Sequence, residues 1–420
     1  MSKFVINGGK KLSGEITVAG NKNAALPIIA ATILTDEDCI LENVPDIRDV
    51  QAIFDIAMDI GKNVEQIDSS VYKISGTASN PHPNPELVQK LRASILFLGA
   101  LLAKTGKASI APPGGCVIGR RHIAPHFEAL TDLGMEIEIG EHAYFGKRIE
   151  QKDSTTFLHE TSVTATENAM LAASTSPNKT IIENAACEPH VADLAKMLQK
   201  MGVSINGIGS NRMEIQGVKK LKGVRHRISS DYIETGTFAI LAASTNSVLT
   251  LNNIEPEHMQ MTGFLFNKMG IELDFLADQK SMTVKPNPLK SPGKKIQVGL
   301  WPNFPTDLMS PMIVLATQAE GTTLCHDWMF ESRMFFVDKL IAMGADITLC
   351  DPHRALVSGP TQLRGQNLSS PDIRAGIALV IAALSARGES EIANAELVDR
   401  GYQNIVDRLK NLGADIRREK

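Results

Sequence analysis

Apolar residues spaced three and four apart, closed by a glycine and followed by alternating apolar and polar positions, recur along the whole chain. Val337-Asp338-Lys339-Leu340-Ile341-Ala342-Met343 ends at Gly344 and gives way to Ala345-Asp346-Ile347-Thr348-Leu349. The first stretch has the period of a helix and the second that of a strand, and glycine after the last periodic residue ends a helix. The same phrase closes at Gly61, Gly134, Gly202, Gly270, Gly344 and Gly413, at intervals of 73, 68, 68, 74 and 69 residues. A more evenly apolar, small-residue helical run precedes each one, at residues 23–31, 92–103, 166–173, 234–243, 307–317 and 374–386. A helix that is apolar all round is a buried helix. Each unit so reads β-α-β, turn, α-β-β in roughly 70 residues, too long for a solenoid repeat. Six units of this size predict an α/β fold of two globules of three, with the break near residues 225–231.

The polar residues that interrupt this pattern fall in phase with it. The starts of the small-residue helices carry Lys22 with Asn23, Arg92, Glu167, Asp231 with Glu234, Asp307, and Asp372 with Arg374. An acid at such a place is most often a cap. Lys22 and Arg92 oppose the helix dipole there, and a bound anion is the simplest compensation. Arg121, Arg333 and Arg400 precede their repeat glycines by 13, 11 and 13 residues. Three guanidiniums in one slot predict a shared anionic site in the cleft between the globules, suited to phosphate and carboxylate. Residues 112–121, Pro-Pro-Gly-Gly-Cys-Val-Ile-Gly-Arg-Arg, form a loop that puts Cys116 close to Arg121. Cations favour the reactive thiolate, although a turn with a stray cysteine has the same composition.

Composition narrows the classes. Hydrophobic residues make up 43% and charged residues 21% of the 420, with a net charge of −4, as in a soluble globular protein that does not bind nucleic acid. The most apolar segment, residues 375–386 between Arg374 and Arg387, is too short to cross a bilayer. The N-terminus lacks the apolar run of a signal peptide. Five cysteines without CxxC or Cys/His spacing point to reduced thiols in the cytoplasm, to no metal site, and to packing roles for those other than Cys116.

Gly20-Asn21-Lys22-Asn23-Ala24-Ala25-Leu26-Pro27 together with Pro113-Gly114-Gly115-Cys116-Val117-Ile118-Gly119-Arg120-Arg121 resembles the UDP-N-acetylglucosamine enolpyruvyl transferase family. Arg92-Ala93-Ser94, Ile233-Glu234-Thr235-Gly236, Phe304-Pro305-Thr306-Asp307, Phe330-Glu331-Ser332-Arg333, Asp372-Ile373-Arg374 and Asp399-Arg400-Gly401-Tyr402 agree in order over essentially the whole chain. The enolpyruvyl shikimate phosphate synthases share the repeat plan but not the Gly-Asn-Lys-Asn and Leu-Arg-Ala-Ser phrases found here. The resemblance implies the two-domain inside-out α/β barrel, helices inside and strands outside, with domains 21–229 and 1–20 plus 230–420. It implies transfer of the enolpyruvyl group of phosphoenolpyruvate to the 3-hydroxyl of UDP-N-acetylglucosamine in peptidoglycan synthesis, with no metal or organic cofactor.

On the same resemblance, Cys116, Asp307 and Lys22 are catalytic, and Lys22, Asn23, Arg121, Arg333 and Arg400 hold phosphoenolpyruvate. Arg92, Arg121, His122, Ile123, Ala124, Pro125, Asp307 and Met329 are implied for the sugar nucleotide, with Asp372, Arg374, Glu188, Asp231 and Glu234 lining the cleft. Three positions depart from the family: Ala124 stands where Asp is usual, Thr164 where Gly is common, and Glu160 where some members have Lys. All three lie in the acceptor region. A different nucleotide acceptor such as UMP, or a non-catalytic sugar-nucleotide-binding homologue, are the competing readings.

Overall fold

The computed structural model describes residues 2–114, 119, 122–150, 152–276, 280–293 and 295–420. Two kinds of helix alternate along it, each buried helix followed by an amphipathic one. They are Lys22–Ala31 (α1) and Arg48–Ile60 (α2), Leu96–Thr105 (α3) and Ala124–Asp132 (α4), and Val163–Ala173 (α5) and Pro189–Lys200 (α6). Then come Tyr232–Ser244 (α7) and Gln260–Lys268 (α8), Met309–Gln318 (α9) and Val337–Ala342 (α10), and Ile373–Ser385 (α11) and Ile405–Asn411 (α12). All of α7 is buried, and α11 is buried except at Ser385. Small side chains let such helices pack closely, and the strands cover them from outside. Side chains that accept free N–H groups start several of them: Asn21 for α1, Asp231 for α7 and Asp372 for α11.

Among the described residues the strands form six sheets, one per repeat, five of four strands and one of three. In the fifth, Lys295–Gln297 runs parallel to Gly321–His326, which pairs antiparallel with Arg354–Gly359, itself antiparallel to Asp346–Asp351. The buried helix makes the parallel crossover between the first two strands, and the amphipathic helix leads into the hairpin. The second repeat has only Lys107–Ile110, Tyr144–Arg148 and Met135–Ile139. Where its first strand was expected, the Ser109 N–H donates to the Pro81 carbonyl instead. Pro81 and Pro83 lack the N–H groups that a ladder would need.

The chain divides into two compact units, one drawn from residues 20–229 and the other from 1–19 with 230–420. Lys3–Asn7 is an inner strand between Glu389–Ala393 and Asp415–Glu419, and Ser13–Thr17 runs parallel to Val248–Asn252. Val224–Arg227 returns to run parallel to Cys39–Glu42. The stretch at 225–231 therefore begins as paired strand. Each unit has its own core, built round α1, α3 and α5 in one and α7, α9 and α11 in the other.

Candidate active site

In the unit containing residues 230–420, a short turn, Thr306–Leu308, ahead of α9 presents Asp307. Arg333 Nη2 donates to Asp307 Oδ1 at 3.1 Å and Arg374 Nη2 to Oδ2 at 2.9 Å. The Arg374 fork continues from Nη1 to the Tyr402 hydroxyl, 3.1 Å. Thr237 gives its own hydrogen to the Ile233 carbonyl, so the Tyr402 O–H is the donor in their 3.0 Å contact. Burial works against charge on Arg374, but Asp307, Tyr402 and Asp231 outweigh it and raise its pKa. Arg333 is 2% exposed and lies 3.8 Å from Asp327. Asp327 accepts from the N–H groups of Met329 and Phe330 and from the Thr306 hydroxyl. Two guanidiniums on one carboxylate hold Asp307 in its charged form, and guanidinium forks are of the kind that can pair with phosphate or carboxylate.

The structure thus brings together Asp307, Arg333 and Arg374, with Asp231 acting on Arg374 through its charge. Asp231 and Asp372 also cap their helices. Glu234 does something else: both its oxygens bind Arg408, at 2.6 and 3.1 Å, and Oε2 accepts the Ala19 N–H. Arg408 reaches on to the Thr17 carbonyl, so this buried pair ties residues 17–19 to α7 and α12. Arg400 ends the turn Ala395–Arg400 and is half-buried.

In the unit of residues 20–229, Lys22 opens α1 and its Nζ lies 2.7 Å from Asp49 Oδ2, both side chains about a tenth exposed or less. The anion demanded beside Lys22 is thus, in this structure, a carboxylate of the chain. Asn23 is half-buried on the same turn. Arg92 Nη2 donates to the His122 carbonyl at 3.1 Å. Ile123 immediately precedes α4, Ala124 and Pro125 are its first two residues, and Glu188 precedes α6. Cys116, Arg120 and Arg121 lie outside the described residues.

Glu167 was expected near a helix start, as a cap. Ser162 caps α5 instead, and Glu167 falls a turn inside the helix, 1% exposed. Burial, and then the charge of Glu188, raise its pKa well above the usual carboxyl value. Of the remaining cysteines, Cys39 and Cys325 are buried and their thiols pushed up by burial, Cys325 to about 12. Cys187 is half-buried and Cys350 exposed, so packing does not explain all four. Among the described residues no cluster of His, Cys, Asp or Glu could hold a metal, and no helix is long and apolar enough to cross a membrane.

Sequence reasoning missed Asp49, Tyr402, Asp327 and His126. Tyr402 sits two residues beyond Arg400, and Asp49 is an acid on the buried side of the first turn of α2. His126 is 0% exposed, with Nε2 3.1 Å from Thr164 Oγ1 and Nδ1 3.1 Å from Asn168 Nδ2. Burial, and then the Arg92 charge, push its pKa down to about 3, so the ring is neutral. The available signal was a polar residue on an otherwise apolar helical face.

The sequence pattern of the EPSP synthase (3-phosphoshikimate 1-carboxyvinyltransferase) family matches residues 6–409. The chain is 50% identical to the UDP-N-acetylglucosamine 1-carboxyvinyltransferase of Treponema denticola, covering 99% of each. It is 45% identical to the protein of that name from Borreliella burgdorferi, covering 100% of each. Among solved structures, the enolpyruvyl transferase NikO from Streptomyces tendae superposes with a TM-score of 0.89 at 22% identity, over 99% of this chain and 98% of that one. An EPSP synthase from Acinetobacter baumannii gives 0.77 at 18% identity, over 100% of both. These structures establish the enolpyruvyl transferase fold, and the full-length sequence likeness narrows the assignment. The chain belongs to the UDP-N-acetylglucosamine 1-carboxyvinyltransferase family, within the wider EPSP synthase family.

Proposed function

We propose that the protein transfers the enolpyruvyl group of phosphoenolpyruvate to the 3-hydroxyl of UDP-N-acetylglucosamine and releases phosphate, the first committed step of peptidoglycan precursor synthesis. The observation that carries this reading is the full-length likeness to relatives of that name, 50% identical over 99% of each chain. The reaction needs a proton for the methylene carbon, a base for the hydroxyl and cations for a trianion. In this reading the Cys116 thiol gives its proton to C3, and C2 takes on oxocarbenium character. The sugar hydroxyl attacks C2 as its proton passes to a base, the role this reading gives to Asp307. Loss of a proton from the new methyl group and departure of phosphate from C2 then regenerate the double bond.

Lys22, Asn23, Arg121, Arg333 and Arg400 hold the phosphate and carboxylate, and Arg92, residues 121–125 and Met329 hold the acceptor. Arg333 then has a double duty. In the structure it donates to Asp307 Oδ1; a substrate anion that draws it away removes that bond and raises the carboxylate's affinity for a proton. Lys22 has the same relation to Asp49.

The test is phosphate release from phosphoenolpyruvate with UDP-N-acetylglucosamine, UMP or shikimate 3-phosphate as acceptor. Turnover is expected with the first alone, and Cys116→Ala is expected to lose at least about a hundredfold in kcat, as for removal of a general acid. Activity on UMP but not on the sugar nucleotide would overturn the reading.

A further inference from the structure

Asn168 lies inside α5, among alanines and methionine, and is 0% exposed. Its Oδ1 accepts the Gly99 N–H of α3 at 2.8 Å, which fixes the orientation of the amide. The Nδ2 group then donates twice, to the Ile95 carbonyl at 3.1 Å and to His126 Nδ1 at 3.1 Å. His126 Nδ1 is therefore the acceptor nitrogen. A neutral imidazole with Nδ1 accepting carries its hydrogen on Nε2, so His126 Nε2–H donates to Thr164 Oγ1 at 3.1 Å. The relay runs in one direction, from the amide on α5 through the ring to a hydroxyl at the start of the same helix. No bond in it can reverse without breaking the Gly99 contact. Space around Asn168 is equally determined: a Cβ on Gly99 would come within 2.2 Å of Oδ1.

His126 immediately follows residues 122–125. At their other end, Arg92 holds the His122 carbonyl. The side chain of Ala124 has no polar atom with which to anchor the segment itself. We propose that Thr164, through the His126–Asn168 relay, is a positioning residue for the acceptor segment 122–125, setting affinity for the sugar nucleotide while leaving the phosphoenolpyruvate residues unaffected. This rests on the function proposed above. It assigns a use to Thr164, where the family pattern led one to expect glycine.

Thr164→Val keeps the shape and deletes the hydroxyl; Thr164→Ser restores it. Loss of one such bond predicts a roughly three- to tenfold rise in KM for UDP-N-acetylglucosamine in Thr164→Val, with kcat and the KM for phosphoenolpyruvate within about twofold of wild type. Thr164→Ser should return the acceptor KM to wild type. A Thr164→Val enzyme with an unchanged acceptor KM, or with both KM values and kcat altered alike, would overturn the inference, as would a serine variant no better than valine. Independently of any ligand, 15N chemical shifts of His126 should report the neutral Nε2–H tautomer; the Nδ1–H tautomer would also overturn it. A wild-type enzyme inactive on the sugar nucleotide would count instead against the proposed function and, with it, the premise used here.

Discussion

Glu167 is an acid with nowhere to put a charge. It is 1% exposed, its Oε1 has no hydrogen-bond partner among the described residues, and Glu188 repels it. With the folded pKa raised above the ordinary value of 4.5, the folded chain binds a proton that the unfolded chain has released. The stability contributed by this group is whole below 4.5 and is lost as pH rises towards the raised value. Glu167→Gln removes the ionisation and keeps the shape. The variant should gain on wild type by about 1.4 kcal/mol per pH unit above that threshold, until the folded carboxyl itself ionises. Denaturant unfolding from pH 4 to 8 measures this, and a constant difference across the range would refute it. His126 works in the opposite sense: its pKa is depressed from 6.5 to about 3, so its contribution is lost as pH falls through that interval. These two groups show what local sequence does not contain. Type and spacing marked Glu167 as a cap, but its protonation is set first by burial and then by Glu188, which immediately precedes α6.

At the scale of the element, the repeat glycines were the most legible feature, because each is required by backbone geometry. All six, Gly61, Gly134, Gly202, Gly270, Gly344 and Gly413, have positive φ. Their surroundings differ, however. At Gly413 a Cβ would meet nothing within 4 Å, whereas at Gly270 it would lie 2.7 Å from the Pro288 carbonyl oxygen. Gly413→Ala should therefore cost only the left-handed backbone, about 1–2 kcal/mol. Gly270→Ala should cost at least about 1 kcal/mol more, since backbone must move. Thermal unfolding of the two variants tests the order; equal losses would show that the clash relaxes freely. The missing first strand of the second repeat was illegible for a related reason. Repeat phase predicts a strand before α3, and only the two prolines argue against it. Site residues divide in the same way. Asp307, Arg333 and Arg374 stand at phased positions and could be found by counting, whereas Asp49 meets Lys22, and Tyr402 meets Arg374, only through tertiary packing within each unit.

For the whole molecule, the informative pairings join residues far apart in sequence. Lys3 pairs with both Ala393 and Glu419, and Val248 with Ser13. Phe4, Val5, Ile6, Leu12, Ile16 and Val18 are all buried in this way, each 5% exposed or less. Their burial is worth on the order of 9–18 kcal/mol, comparable with the entire stability of a domain. A fragment of residues 230–420 lacks an inner strand of one sheet and an edge of another. It should show no cooperative unfolding transition. The fragment 20–229 keeps Val224–Arg227 against Cys39–Glu42 and all its core helices, and should fold alone. The decisive construction is a permutation. Because Lys3 and Glu419 are cross-strand neighbours, a linker of about five Gly/Ser residues from Lys420 to Met1 spans the gap. Residues 230–420 followed by that linker and residues 1–19 should recover a single cooperative melt and a native-like circular dichroism spectrum. Cooperative folding of 230–420 without its N-terminal strands would mean that the core of α7, α9 and α11 suffices, and that the two strands are added to a structure already formed.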